Sequence, residues 1–274
     1  MTLTPQEGGG AQSVDRALGL LSLVASFAGR EVPMTVLTRE TGMSRPTVRR
    51  LMLALMRAGL IEQEPGGGYV LGGESLVLGA MAARRFDLLE VAQDSLIALA
   101  AESGDSSFVS LRRGSYSVCL QREEGDFPIR THVLQAGARH PLGVGAGAMA
   151  ILAALTEAEA EEVLRETRAE IDEKFPDFTE AFLRDELARA RAQGWSLNPG
   201  MYVANSWAIG VPLMAPSGAV VGSLSIAAID SRMGEARQPE LVAMLRREAD
   251  KVERRMRQRA EKGALAGPRK AAGK

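Results

Sequence analysis

Between Thr41 and Ile61 the chain carries four arginines, Arg45, Arg49, Arg50 and Arg57, and no Asp or Glu. A guanidinium is a planar fork of donors that fits a phosphate or the outer edge of a guanine. Arginines gathered on one helix face therefore point to nucleic-acid recognition. Val48, Leu51, Met52 and Leu55 recur at spacings of three, four and seven, which makes one apolar stripe. At about 100° per residue Arg49, Arg50 and Arg57 fall opposite that stripe, with Arg45 at its margin. The competing reading is an amphipathic helix whose arginines are only solvated. The surroundings favour DNA. A shorter helix carrying Val36 and Leu37 ends near Thr41-Gly42. Ser44 then stands where an N-cap belongs, with Pro46 in the first turn. Beyond Gly59, Leu60–Gln63 and Tyr69–Leu71 read as two strands joined through Glu64-Pro65-Gly66-Gly67-Gly68, a wing beside the helix. The expected DNA contacts are Ser44, Arg45, Thr47, Arg49 and Arg50, with Gly67 at the wing.

A second constellation is Gly143-x-Gly145-x-Gly147, at the entry to a small-residue helix over Gly143–Leu155. Backbone N–H groups at a helix start attract an anion, and glycine lets a carboxylate come close. Close helix–sheet packing is the structural alternative. The segment is no P-loop, because the Gly-Lys-Ser/Thr ending is missing. As a dinucleotide fingerprint it is poor, since Ala148 fills the third glycine place and His140-Pro141 precedes it instead of a strand. Cys119, mid-strand between Val118 and Leu120, reads as a small buried thiol. His132 and His140 lie near no suggestive Ser, Cys or carboxylate motif. The sequence therefore predicts no enzyme.

The elements that must position these groups follow from 274 residues, 46% of them apolar, with a net charge of −1. That length suggests two domains. Residues 13–85 hold nine Arg against six Asp plus Glu, so the basic character is local. One cysteine excludes an intrachain disulfide framework and a Cys-based zinc site, and two histidines are too few for a metal cluster. No cofactor is expected. No apolar run reaches membrane-spanning length and residues 1–12 lack a signal peptide's pattern, so the expectation is a cytoplasmic protein without membrane contact.

In order, the chain reads as a disordered leader (1–12), a winged helix–turn–helix domain (13–73) opened by a helix capped at Ser13, and a linker helix (74–86). The Glu74–Arg85 segment is broadly apolar and suits a dimer contact. A larger domain (87–259) opens with an amphipathic helix over Asp87–Ser103. Strands follow at Asp105–Arg112, Ser115–Glu123 and Ile129–Leu134, then helices at Glu157–Arg168 and Thr179–Gln193. An irregular segment runs from Gly194 through Tyr202. Strands at Ser206–Ala215 and Ala219–Ile229 form a hairpin, and a charged helix spans Pro239–Arg259. Residues 260–274 read as a disordered basic tail. The fold class is α+β, with a central antiparallel sheet in the second domain.

Across about residues 13–258 this arrangement resembles the IclR family of bacterial transcription regulators. The resemblance is carried by Ser13-Val14-Asp15-Arg16-Ala17; by Ser44, Thr47, Arg50 and Leu51; and by Gly59-Leu60 with Tyr69-Val70-Leu71-Gly72. Further on it is carried by Pro141-Leu142, Gly194-Trp195, Ile209-Gly210-Val211-Pro212 and Gly218-x-Val220-Val221-Gly222-x-Leu224-Ser225. It implies a GAF/PAS-like effector-binding domain, a palindromic operator in double-stranded DNA, and a homodimer or dimer of dimers. It also implies a small-molecule effector, often a carboxylic acid, near Leu142, Gly145, Ala146, Gly147, Asn198, Ala208, Ser225 and Ala227. Some members have Asp, Cys, Ser and Ser at the last four positions; here only Ser225 keeps its hydroxyl, which suggests a larger, less polar acid. Trp195, Met201, Tyr202 and Trp207 could furnish an apolar wall. The rival classes are a DNA-binding architectural protein that oligomerises without a ligand and, more remotely, an enzyme of unknown reaction.

Overall fold

The computed structural model describes residues 11–27, 29–83, 88–129 and 134–265. The chain divides into two compact units at 86/87.

In the first unit, α1 (Gln12–Ala25), α2 (Met34–Thr41) and α3 (Arg45–Arg57) precede a ribbon of β1 (Ile61–Gln63) and β2 (Tyr69–Leu71), followed by α4 (Gly73–Ala83). Leu20 and Val24 of α1, Leu37 of α2 and the Val48, Leu51, Met52 and Leu55 stripe of α3 share one core with Ile61 and Tyr69. The helical spacing of the apolar residues in α3 is thus what docks it. Val32 adds a bridge to Tyr69, its N–H donating to the Tyr69 carbonyl at 2.9 Å. Gly42 ends α2 in the left-handed conformation (φ 65°) that glycine adopts freely. Ser13 is no cap: α1 begins one residue earlier, after Ala11, with no side-chain cap. The described side chains of α4 are mostly exposed, Leu76 at 76% and Met81 at 66%.

Among the described residues the second unit has six strands: β3 (Ser106–Arg113), β4 (Tyr116–Glu123), β5 (Arg139–Pro141), β6 (Ser196–Val203), β7 (Ser206–Met214) and β8 (Val220–Ile229). Their order is β5-β4-β3-β8-β7-β6, antiparallel throughout. Period-two alternation sorts the two faces. Val109, Ile209, Val211, Leu213, Leu224, Ile226 and Ala228 pack against α5 (Leu88–Ser103) and α9 (Gln238–Leu265). On the other side, α6 (Ala146–Ala153), α7 (Glu157–Lys174) and α8 (Glu180–Gln193) build a second core around Ile151, Leu152, Ile171 and Phe178.

Several expectations are corrected. The residues before the glycine-rich entry do form a strand, β5, only three residues long. As an edge strand it tolerates Pro141, which has no ladder bond to lose. Residues 196–203, expected to be irregular, form β6, with a register shift between Pro199 and Val203. Pro199 and Gly200 imitate a turn in sequence, yet a bulge on an edge strand absorbs both. Helix α7 runs to Lys174 instead of Arg168, because Ile171 extends its buried stripe. The last helix continues to Leu265, so residues 260–265 are helix and not tail. The predicted strand over Ile129–Leu134 falls largely on residues 130–133, outside the described residues.

Candidate functional site

Each unit gathers residues singled out in the sequence. In the first, Ser44 takes the extended backbone of an N-cap (φ −63°, ψ 146°), but its side chain makes no cap bond. Its Oγ instead lies 2.9 Å from the Thr47 hydroxyl. The pair is thus tied together on the first turn of α3. Arg45, Arg49, Arg50 and Arg57 are all exposed, and none forms an ion pair with a described residue. Their fixed positive charge is free for an outside anion. Gly67 sits at the exposed wing tip with φ 84°, its N–H donating to the Glu64 carbonyl at 2.8 Å. The wing adds Glu62, Gln63 and Glu64 but no basic side chain, so of α3 and the wing only α3 is basic.

In the second unit a cavity lies between the start of α6 and the sheet face turned away from α5 and α9. It holds about 600 Å³ of empty space, open solvent at its mouth included. Gly145, Ala146, Gly147, Asn198, Ala208, Ser225 and Ala227 all border it. Leu142 does not: fully buried, it packs with Val144, Met149 and Leu152 in the helical core. Of the four residues expected to form an apolar wall only Tyr202 reaches the cavity. Trp195 and Trp207 pack against the α5/α9 core and Met201 against the helical one.

Two of the three glycines have distinct roles. Gly145, the N-cap residue of α6, has φ 86° and ψ 159°, a backbone region that is essentially glycine's, and open space where a side chain would start. Gly147 faces the sheet: a Cβ there would stand 2.9 Å from Ser223 Oγ, so its role is close packing. Ser196 Oγ donates to the Ala146 carbonyl at 2.6 Å, fastening the first turn to β6. The N–H groups of that turn have no partner inside the helix. Asn198 spends its Oδ1 on the Met201 N–H at 3.0 Å.

Sequence reasoning missed part of the wall. Ser110 and Ser117 on β3 and β4, Ser206 on β7 and His140 on β5 also line the cavity. The lining is therefore more polar than the substitutions at 208 and 227 implied. No local motif marks these residues; only register brings them together, with Ser117 opposite His140. His140 is 8% exposed, and neither of its ring nitrogens has a hydrogen-bond partner. Its ring meets the edges of Tyr202 at 4.9 Å and Phe175 at 6.0 Å between centroids. Burial draws its pKa down to about 4, against a smaller opposite pull from Glu170, so the ring is neutral at pH 7. A buried polar group left unpaired typically costs about 1–3 kcal/mol. Cys119, also in the wall, has its thiol pushed up to about 12, chiefly by burial, and is no nucleophile at neutral pH. His132 lies outside the described residues. No helix among the described residues is long and apolar enough to cross a membrane.

Comparison with known proteins decides the family. The IclR helix-turn-helix domain model matches residues 13–65, and the model of the bacterial transcriptional regulator IclR C-terminal domain matches residues 80–254. The chain belongs to the IclR family. It is accordingly a transcription regulator, with a DNA-binding helix–turn–helix domain and a C-terminal effector domain. Among IclR-family relatives it is 24% identical over 245 residues to the HTH-type transcriptional regulator KipR of Bacillus subtilis, covering 89% of this chain and 97% of that one. The IclR transcriptional regulator of Alicyclobacillus acidocaldarius shares its fold, with a TM-score of 0.73 at 22% identity, over 89% of this chain and 98% of that one. So does an IclR homolog from Microbacterium hydrocarbonoxydans solved with 4-hydroxybenzoate, with a TM-score of 0.71 at 20% identity, over 90% and 99%.

Proposed function

We propose that this IclR-family regulator binds a palindromic operator as a homodimer or dimer of dimers, and that an organic acid in its second unit sets the affinity for that operator. The observation that carries the reading is Gly145. Its positive φ opens the first turn of an eight-residue helix onto the cavity, where free N–H groups and the helix dipole favour a carboxylate. The 4-hydroxybenzoate bound by the Microbacterium homolog is such an acid. Ser110, Ser117, Ser206 and Ser225 supply hydroxyls around it, so the acid need not be the largely apolar one suggested by positions 198, 208 and 227.

On the DNA side, Arg45, Thr47, Arg49 and Arg50 read the major groove from α3, with Ser44 and the backbone at Gly67 on phosphates. A second copy doubles the few base pairs one helix can reach, and the exposed Leu76 and Met81 of α4 suit a contact between copies. The ligand acts by favouring one arrangement of the oligomer through the 74–86 segment, a coupling typically of about 1–3 kcal/mol. The work is done in the cytoplasm.

The test is binding of purified protein to the DNA upstream of its own gene, at several salt concentrations, with and without a panel of carboxylic acids. Binding that survives non-specific competitor, falls steeply with salt and shifts with at least one acid is expected. Weak binding, equal on any DNA and indifferent to every acid, would overturn it.

A further inference from the structure

Among the described residues that line the cavity, His140 is the one whose buried polar atoms lack any partner. An apolar side chain would fill that space without the penalty of an orphaned imidazole. A neutral imidazole offers one donor and one acceptor, and here both are unused. The polar wall therefore has two stations. One is the first turn of α6, next to Gly145. The other is on β5, where His140 faces Ser117 across the β4–β5 ladder and Tyr202 across the ring contact. A buried polar group of this kind selects against any ligand that leaves it unmatched.

We propose that His140 determines the specificity of the cavity and that the occupant is a hydroxy acid, its carboxylate on the first turn of α6 and its hydroxyl hydrogen-bonded to the His140 imidazole. This rests on the acid reading above and names the class of acid. A hydroxyl matches either ring nitrogen, because it donates and accepts. Both nitrogens lie beneath neighbouring atoms. The bond therefore forms as the ring turns about its Cβ–Cγ bond or as Tyr202 gives way.

The experiment is calorimetric titration of the full chain with two matched pairs, benzoate against 4-hydroxybenzoate and hexanoate against 6-hydroxyhexanoate, repeated on His140→Leu and His140→Gln. The wild type should bind at least one hydroxy acid about tenfold or more tightly than its partner. That ratio should collapse to about twofold or less in His140→Leu and return in part in His140→Gln. Without any acid, His140→Leu should melt at or above the wild-type temperature, whereas a structural histidine would leave a less stable protein. The chain has two histidines, so 15N-histidine spectra carry two imidazole patterns. The one absent from His140→Gln should move with the hydroxy acid and not with its partner.

Equal affinity within both pairs, a preference that survives His140→Leu, or a fall in melting temperature overturns the role of His140 while leaving the acid site intact. If no acid binds while operator binding persists, the acid reading itself fails, and this proposal with it.

Discussion

His140 and Tyr202 come from the two edge strands of the six-stranded sheet, and their rings meet edge to face, 4.9 Å between centroids and 84° between planes. The sheet is curled so that residues from its opposite ends touch. The cavity is what that curl encloses between β3, β4, β7, β8 and the start of α6. His140 is thus both the meeting point of the curl and part of the wall.

That burial gives a pH signature. The folded pKa of His140 is depressed from about 6.5 to about 4. Its neutral form therefore contributes stability that is present above pH 6.5 and lost as pH falls towards 4. Between those values the stability of His140→Leu should gain on the wild type by about 3 kcal/mol, read from urea unfolding at successive pH. Glu170, which accepts a 2.7 Å bond from Tyr116 and pairs with Lys174 at 3.1 Å, is common to both proteins and cancels to first order. A gap that stays constant with pH would mean that the ring titrates normally.

Arg49→Ala should leave the melting temperature unchanged, since the side chain is exposed and unpaired. Operator affinity should fall by about 1–3 kcal/mol, and the log–log salt slope should shrink by about one. Fluorescence anisotropy at four salt concentrations measures both. Retention of full affinity and base preference would remove α3 from the groove.

Asp105 is 5% exposed and held by Arg232 at 2.8 and 3.1 Å and by Arg237 at 2.7 Å. Asp105→Ala leaves two guanidinium groups facing each other without their shared anion. The expected cost is about 3 kcal/mol, as for other broken buried pairs, seen as a lower urea midpoint at unchanged slope.

Gly145→Ala meets no neighbouring atom, so its effect is backbone strain, about 1–3 kcal/mol for a side chain forced into that region. The first turn of α6 should relax away from its present path. Acid binding should weaken with it, and an unaltered acid affinity would move the carboxylate seat elsewhere.

Leu76→Glu on α4 should change the fold of a single copy little, because exposed sites usually tolerate substitution within about 0.5 kcal/mol. Sedimentation should nevertheless show dissociation at concentrations where the wild type is associated. An unchanged sedimentation coefficient would place the contact between copies on another surface.

What the sequence made legible was whatever local periodicity encodes. The Val48, Leu51, Met52 and Leu55 stripe marked α3, and the Pro216-Ser217-Gly218 turn announced the β7–β8 hairpin. Gly145 was visible as a glycine but not as an N-cap with positive φ. The misses are non-local. Three residues containing a proline carry no strand signal, so β5 was hidden, and His140 with it. Ser110, Ser117 and Ser206 stand on three different strands, and only the register of a curled sheet brings them to one cavity. Leu142 sits two residues from His140, but the chain turns inward there, and the leucine joins the helical core.

The alternation along β3, β7 and β8 has an evolutionary consequence. Residues 109, 209, 211, 224 and 226 keep the α5/α9 side closed, while 108, 110, 206, 208, 225 and 227 border the cavity. Because the two sets interleave without sharing a face, heritable change in what is sensed is uncoupled from change in what holds the domain folded. Under the proposed effector site, single replacements at 208, 225 or 227 would change the metabolite sensed, while the opposite face of the same strands stays under its own constraint.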